Sequence, residues 1–402
     1  MTLSDELTWR GFINQTTFTD IAQINEPRTF YFGVDPSADS MQIGNLAAAM
    51  MVRHFMDHGH KAVLLVGGAT GMIGDPDGKK QERDLKTPEE IARNKAAIIR
   101  QYETIFAGKE FEVVDNYEWF SRINYLQFLR DIGKHVSMTQ LLDRDFIQSR
   151  IGEGGAGISY AEFSYSLIQG YDFLHLYRTK GVTLQLAGAD QWGNTITGVS
   201  LLRKLEGVEA HVFTTPLIVN KQTGIKFGKS EGGAVWLDGE KTSPYKFYQF
   251  WLNINDEMAR DLVKIYTLLP HENIESLIRE HDENPGQRLL QRTIAHEVTQ
   301  LVHGEARSAA VERATELLFG SGVTEVDDAV ADELAGEIPI ASVGQSVVET
   351  LVQAGICSGK GEARRLLTAG AISMNGSKLQ DDQVIDQPAL VKKGKNTFLL
   401  VR

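Results

Sequence analysis

Apolar and polar positions along the chain alternate between two periods. Thr29 to Asp35 is a run of aromatic and β-branched residues that predicts a buried strand. Residues 43–58 then switch to helical spacing, with Leu46, Met50, Met51 and His54 on one side. Lys61 to Val66 is a second apolar strand that runs into glycines, and helical patterns follow over roughly 88–106 and 121–149. Strand, loop, helix, strand, loop, helix predicts an α/β fold around a parallel sheet, in which ligands sit beyond the carboxyl ends of the strands. The loops after the first two strands are therefore the places to search.

Residues 255–318 read as mostly helical, and the small, acidic stretch that follows reads as a linker. Beyond it the pattern is compact. An amphipathic segment from Val343 to Ala354 ends at Gly355, and Ser358 is placed to cap a helix that stops at Gly370. Ala371–Met374 is a strand, Asn375-Gly376 a hairpin turn and Thr397–Val401 a last strand. The expected layout is an α/β domain over 1–220, a helical domain over 221–320, a linker over 321–337 and a small α+β domain over 338–402.

The 402 residues suit two or three domains, and 42% hydrophobic with 23% charged residues is ordinary for a globular chain. The net charge of −12 argues against a protein coated in positive charge, though not against a local basic patch. Residues 338–402 hold eight basic and five acidic side chains, a net of +3, so the remainder carries −15. The single cysteine, Cys357, excludes an intramolecular disulfide and a cysteine-based zinc cage. The N-terminus has acids where a leader would have bases, and no apolar stretch is long enough to span a membrane, so a cytoplasmic protein is expected.

Four segments carry candidate chemistry. In Tyr31-Phe-Gly-Val-Asp35-Pro-Ser37 through Gln42-Ile-Gly44-Asn45 a strand ends and a helix opens, which suits an anion at the free N–H groups. Gly67-Gly-Ala-Thr-Gly-Met-Ile-Gly-Asp75-Pro leads to Lys79, Lys80 and Arg83; it matches neither a dinucleotide fingerprint nor a P-loop. That segment fits either a solvated charged turn or an acid for an amine followed by cations for a polyphosphate. Tyr165, Gln169 and Asp172 share one helical face, as a pocket lining or a core network would, with Gly188, Asp190 and Gln191 further on. Lys226-Phe-Gly-Lys229-Ser sits in a Gly-rich run, either a plain turn or a phosphate clamp. His54, His58 and His60 have metal-like spacing but no completing acid, and no metal site is expected.

Together these segments resemble the bacterial-type tyrosyl-tRNA synthetases, collinearly over nearly the whole chain. Gln42-Ile-Gly-Asn45 looks like the family's "HIGH" segment and Lys226-Phe-Gly-Lys-Ser like its "KMSKS" loop. Phe128-Leu-Arg-Asp-Ile-Gly-Lys-His135, Asp190-Gln-Trp-Gly-Asn and Thr242–Trp251 are further hallmarks. The resemblance implies a Rossmann-like catalytic domain, a helical anticodon-binding domain and an S4-like RNA-binding tail. It implies activation of L-tyrosine by ATP, accompanied by Mg2+, and transfer of tyrosine to tRNA(Tyr). Tyr31 and Asp172 would bind the substrate phenol, Asp75, Tyr165 and Gln169 its α-amino group, and Gln191 its backbone. Asp35, Ser37, Gly44, Gly188 and Asp190 would hold the adenylate. Lys79, Arg83, Lys226 and Lys229, with Gln42 and Asn45, would hold the phosphates in the transition state. Gln42 departs from the usual histidine; like Asn45 it can donate but cannot become cationic. Arg364, Arg365, Lys378, Lys392 and Lys393 would contact RNA. A homodimer is implied, with its interface near 121–149. The rivals are a tryptophan enzyme of the same fold, which the Tyr31–Asp172 pair disfavours, a paralogue without chemistry, and a ligase for a tyrosine-like metabolite.

Overall fold

The computed structural model describes every residue except 76–85, 143–144, 153–154, 156, 220–226, 228, 231–232, 321–325 and 395–396. In chain order the elements begin with α1 (Leu3–Arg10), β1 (Gln15–Thr16), β2 (Thr29–Val34), α2 (Ile43–Asp57), β3 (Lys61–Val66), α3 (Gly68–Ile73), α4 (Pro88–Ile105) and β4 (Phe111–Val114). Then come α5 (Tyr117–Phe120), α6 (Tyr125–Asp131), α7 (Met138–Leu142), α8 (Asp145–Ile151), α9 (Tyr160–Lys180), β5 (Leu184–Gly188), α10 (Trp192–Glu206) and β6 (His211–Thr215). Two short strands, β7 (Lys229–Ser230) and β8 (Gly233–Ala234), precede α11 (Pro244–Leu252), α12 (Asp256–Tyr266), α13 (His271–Glu283), α14 (Leu289–His303), α15 (Glu305–Phe319) and α16 (Asp328–Leu334). The chain finishes with β9 (Ile340–Ala341), β10 (Gln345–Ser346), α17 (Val347–Gln353), α18 (Lys360–Thr368), β11 (Ile372–Met374), β12 (Ser377–Lys378), β13 (Val384–Ile385), β14 (Ala389–Lys393) and β15 (Thr397–Val401).

Two compact units divide these elements: residues 1–238 with 256–282, and residues 239–255 with 283–402. In the first, one sheet runs β1-β6-β5-β2-β3-β4, with β1 antiparallel and the other five strands parallel. The order reverses at β2: β3 and β4 continue on one side, β5 and β6 on the other. The crevice between the carboxyl ends of β2 and β5 is the switch point at which open α/β sheets bind ligands.

The long helix α9 closes one side of that crevice. Ser159 accepts from the Glu162 N–H, the Glu162 carboxylate reaches back to the Ser159 N–H, and Gly181 ends the helix at φ 68°. Glu162 also takes a two-pronged bond from Arg150 at 2.9 and 2.8 Å, with both side chains buried. Helices α9 and α10 lie close together because each turns a glycine toward the other, Gly170 on α9 and Gly198 on α10. A Cβ on Gly170 would stand 3.0 Å from the Thr197 methyl, and one on Gly198 would stand 2.9 Å from the Phe173 ring.

The second unit is built from α11, α14, α15 and α16 and a five-stranded sheet, β12-β11-β14-β15-β9. One sheet face (Val391, Leu399, Val401) packs on α17 and α18 through Val347, Val348, Leu351, Ala363 and Leu367. The other (Leu390, Phe398, Leu400) packs with Ala314, Leu317, Leu318, Val330 and Leu334.

Several expectations change. Residues 256–282 belong with the sheet unit, so the helical region expected over 221–320 is split between the two units. The stretch expected to link domains carries α16, because Val330, Ala331 and Leu334 recur at helical spacing and are buried. The helix expected over 121–149 is broken into α6, a 3-10 turn at Gly133–His135, α7 and α8. The break follows Ile132, whose φ of −118° has already left the helix. Gly359 rather than Ser358 occupies the cap position of α18; the Ser358 hydroxyl donates to Glu362 at 2.6 Å instead. The Asn375-Gly376 turn has positive φ at both residues, 47° and 81°, as a tight hairpin of this hand requires.

Candidate active site at the carboxyl ends of the parallel strands

A cavity of about 420 Å³ opens at the switch point. Its wall includes Tyr31, Asp35 and Ser37 from β2 and the loop after it, and Gln42, Gly44 and Asn45 at the start of α2. Asp75 follows α3; Tyr165, Gln169 and Asp172 come from α9; Gly188 ends β5, and Asp190 and Gln191 follow it. These segments lie up to 160 positions apart, yet all thirteen residues line one cavity. The i, i+4, i+7 face of α9 points into it as the helical period requires.

At one part of the wall Tyr31 and Asp172 are both 1% exposed. The Tyr31 hydroxyl is buried and has no hydrogen-bond partner. Burial, and then the nearby Asp172 charge, push its pKa well above the usual phenol value. Asp172 accepts from the Trp119 indole N–H at 2.9 Å and from the Asn116 amide at 3.1 Å, one donor to each oxygen. Burial raises its pKa strongly, while those two donors pull it back by favouring the charged form. The orphan hydroxyl can donate to, and the held carboxylate accept from, one polar atom of a ligand, as a phenol would present.

A second polar group lies nearby. Gln191 donates to Asp75, Asn194 donates to the other Asp75 oxygen at 3.4 Å, and Asp75 is 8% exposed. Tyr165 donates to Asp35 at 2.8 Å, and burial followed by the Asp35 charge raises its phenol pKa. The Gln169 side-chain oxygen is buried without a partner. Two carboxylates with neutral amides between them suit a ligand ammonium.

The opening turn of α2 forms a third part. Asn45 accepts from the Gln42 N–H at 2.9 Å through its side-chain oxygen, which leaves its amide NH2 as an available donor. Gln42 bridges Trp236 in an antiparallel pairing, and the Ile43 N–H donates to the Val235 carbonyl at 3.1 Å. Gly188 stands beside Asp190: a Cβ there would meet the Asp190 carboxylate at 2.8 Å.

Lys79, Arg83 and Lys226 lie outside the described residues, as does the Lys229 side chain; the Lys229 backbone pairs with Ala234. In the second unit Arg364, Arg365 and Lys378 are exposed. Lys392 donates to the Leu318 carbonyl at 3.3 Å and lies 5.0 Å from the Phe398 ring centroid. Lys393 donates to Glu362 at 2.9 Å and to the Ile356 carbonyl at 2.8 Å, so both spend their ammonium groups within the unit. The spaced histidines form no metal cluster among the described residues. His58 bonds the His54 carbonyl and His60 the Ile24 carbonyl, each at 2.9 Å.

Sequence reasoning missed Asn116 and Trp119, which hold Asp172, and Gln185 and Thr215, whose buried side-chain oxygens lack partners on the cavity wall. A signal existed for the first pair: Asp115-Asn116 directly follows β4, at the carboxyl edge where ligands gather. Asn116 also accepts from the Ala69 N–H at 2.8 Å, and Asp115 from the Gly68 N–H at 2.9 Å.

Residues 23–320 match the family model for class I tRNA synthetases (W and Y), and residues 330–402 match the Tyrosine--tRNA ligase SYY-like C-terminal domain. The Tyrosine--tRNA ligase of Geobacillus kaustophilus is 43% identical over the full length of both chains. That of Bacteroides fragilis is 41% identical over all of this chain and 99% of its own. Among solved structures, a C-terminally truncated mitochondrial tyrosyl-tRNA synthetase of Aspergillus nidulans superposes with a TM-score of 0.72. It is 27% identical, over 79% of this chain and 94% of its own. A tryptophanyl-tRNA synthetase of Encephalitozoon cuniculi, 14% identical with a TM-score of 0.55, shares the fold. The cavity and the match over 23–320 define a class I aminoacyl-tRNA synthetase. Within that class, the C-terminal match and the full-length relatives settle the branch: the chain belongs to the tyrosine–tRNA ligases.

Proposed function

We propose that the cavity at the switch point is where this tyrosine–tRNA ligase joins L-tyrosine to ATP, and that the orphan Tyr31 hydroxyl beside Asp172 carries its choice of amino acid. The enzyme activates tyrosine to tyrosyl-adenylate with release of pyrophosphate, then passes the tyrosyl group to the terminal ribose of tRNA(Tyr). The tyrosine carboxylate attacks the α-phosphate, a P–O bond forms, and the bond to the leaving pyrophosphate breaks. The substrate supplies the nucleophile, so the protein contributes position and charge.

In this reading the substrate phenol donates to Asp172 and accepts from Tyr31. Its ammonium sits against Asp75, with Tyr165 and Gln169 giving direction, and Gln191 meets its backbone. Asp35, Ser37, Gly188 and Asp190 hold the adenylate, with Gly44 allowing close approach. ATP brings Mg2+ as the counter-ion of its triphosphate. Gln42 and Asn45 donate to the nucleotide as neutral groups, and Lys79, Arg83, Lys226 and Lys229 take the charge of the leaving pyrophosphate.

The second unit receives tRNA through Arg364, Arg365 and Lys378, with Lys392 and Lys393 contributing once released from their present partners. A body of −15 repels bulk nucleic acid, and the +3 segment favours one polyanion. A homodimer is supported by apolar side chains left exposed over 125–160: Tyr125 at 59%, Leu126 at 73%, Met138 at 57% and Tyr160 at 63%. The enzyme works in the cytoplasm; among the described residues no helix is long and apolar enough to cross a membrane.

ATP–pyrophosphate exchange with tyrosine, tryptophan and phenylalanine tests the reading. Exchange is expected with tyrosine alone, and equal exchange with tryptophan would overturn the assignment. Pyrophosphate release in Lys229→Ala is expected to slow by more than tenfold, about 1.4 kcal/mol, with tyrosine affinity retained.

A further inference from the structure

Tyr266, the last residue of α12, is 0% exposed and lies 223 positions from the start of α2, yet its hydroxyl donates to the Ile43 carbonyl at 2.9 Å. Its ring lies 6.2 Å, centroid to centroid, from that of Phe227. Ile43 is the first residue of α2 within Gln42-Ile-Gly-Asn45, and Phe227 stands between Lys226 and Lys229 in sequence. One buried side chain therefore touches both of the short motifs assigned to ATP. The motifs also meet directly, since a Cβ on Gly44 would stand 3.9 Å from the Phe227 carbonyl oxygen. Phe227 is held in turn by its N–H, which donates to the Ile218 carbonyl at 2.8 Å.

The Ile43 carbonyl and the Gly44 N–H belong to one peptide unit. Of the first N–H groups of α2, that of Ile43 goes to Val235 and that of Asn45 to Gln42. The Gly44 N–H has no acceptor among the described residues and stands on the cavity wall. A donor on the far side of that peptide fixes its plane and polarises its N–H, because hydrogen bonds in a chain strengthen one another. The end of α12 is itself firmly anchored. Arg10, buried on α1, donates to the carbonyls of Lys264, Thr267 and Leu269 at 2.7, 3.0 and 2.8 Å. The Lys264 ammonium also lies 4.7 Å from the Trp9 ring centroid.

We propose that Tyr266 is a positioning residue for tyrosine activation. Its hydroxyl sets the Ile43–Gly44 peptide toward ATP, and its ring fixes Phe227 beside that peptide. The inference rests on the ATP reading of the cavity given above.

Tyr266→Phe separates the two contacts, since it removes the hydroxyl and keeps the ring. Exchange kinetics on the full-length protein are expected to show kcat/KM for ATP lower by about three- to tenfold, the worth of one buried hydrogen bond. KM for tyrosine should stay within twofold. Tyr266→Leu, which also loses the ring, should lose at least a further threefold in kcat. Values for Tyr266→Phe within twofold of wild type for both substrates, or an equal rise in KM for tyrosine and ATP, would overturn the proposal even if the melting temperature falls. Wild-type exchange activity tests the ATP reading separately, because its absence would remove that reading before Tyr266 was examined.

Discussion

Removing the Tyr31 hydroxyl should move stability and function in opposite directions. The oxygen is buried and bonded to nothing, so Tyr31→Phe strands no partner and lifts a desolvation cost of about 1–3 kcal/mol. The ring keeps its packing on Phe173, 5.3 Å away between centroids. The melting temperature should stay the same or rise. Tyrosine binding, by contrast, loses a hydrogen bond worth about 0.5–1.5 kcal/mol, or two- to thirteenfold in kcat/KM. Phenylalanine has no phenol to satisfy that hydroxyl and should lose nothing, so discrimination between the two should narrow by the same factor. Exchange assays with both amino acids, beside a thermal melt, measure each half. A variant less stable by more than about 1 kcal/mol, or an unchanged tyrosine-to-phenylalanine ratio, would refute the argument.

Trp119→Phe removes one of the two donors to Asp172 and should raise KM for tyrosine by about tenfold with KM for ATP within twofold, in the same exchange assay. Arg10→Met strands three carbonyls at the end of α12 and should cost about 3 kcal/mol or more, read as a lowered melting temperature with secondary structure retained. Burial, followed by the Arg10 charge, lowers the His54 pKa to about 3, and burial lowers that of His60 to about 4. A depressed histidine is neutral when folded but takes a proton when unfolded below pH 6.5, so its contribution is complete above pH 6.5 and is lost as pH falls toward 3–4. Denaturation at pH 7, 6 and 5 should show His54→Gln losing less stability than wild type, by up to about 1.4 kcal/mol per unit below pH 6. Equal slopes would mean that His54 does not drive the acid sensitivity.

His60 shows why its neutral form is built in. Its Nδ1 accepts from the Arg28 N–H at 3.3 Å while its Nε2–H donates to the Ile24 carbonyl at 2.9 Å. A second proton would set donor against donor. The metal-like spacing of the histidines is thus a by-product of two elements meeting, and only the contacts separate that from a ligand set.

What the sequence determined by itself was local. The strand–turn–helix at Tyr31–Asn45 and the α9 face of Tyr165, Gln169 and Asp172 could be read because backbone periodicity alone decides where those side chains stand. The hairpin at Asn375-Gly376 was legible because few residues tolerate its backbone. What only the tertiary structure decided is which distant groups meet. Asp172 is held by Asn116 and Trp119, Ile43 by Tyr266, and Lys393 by Glu362, across 31 to 223 positions of chain. No period or turn preference encodes such pairs. They form where sheet order and helix packing bring buried polar groups together, and a buried polar group must find a partner or wait for a ligand. The resemblance in sequence already singled out Tyr31 and Asp172, but only the fold leaves the Tyr31 hydroxyl buried and unpaired on the cavity wall.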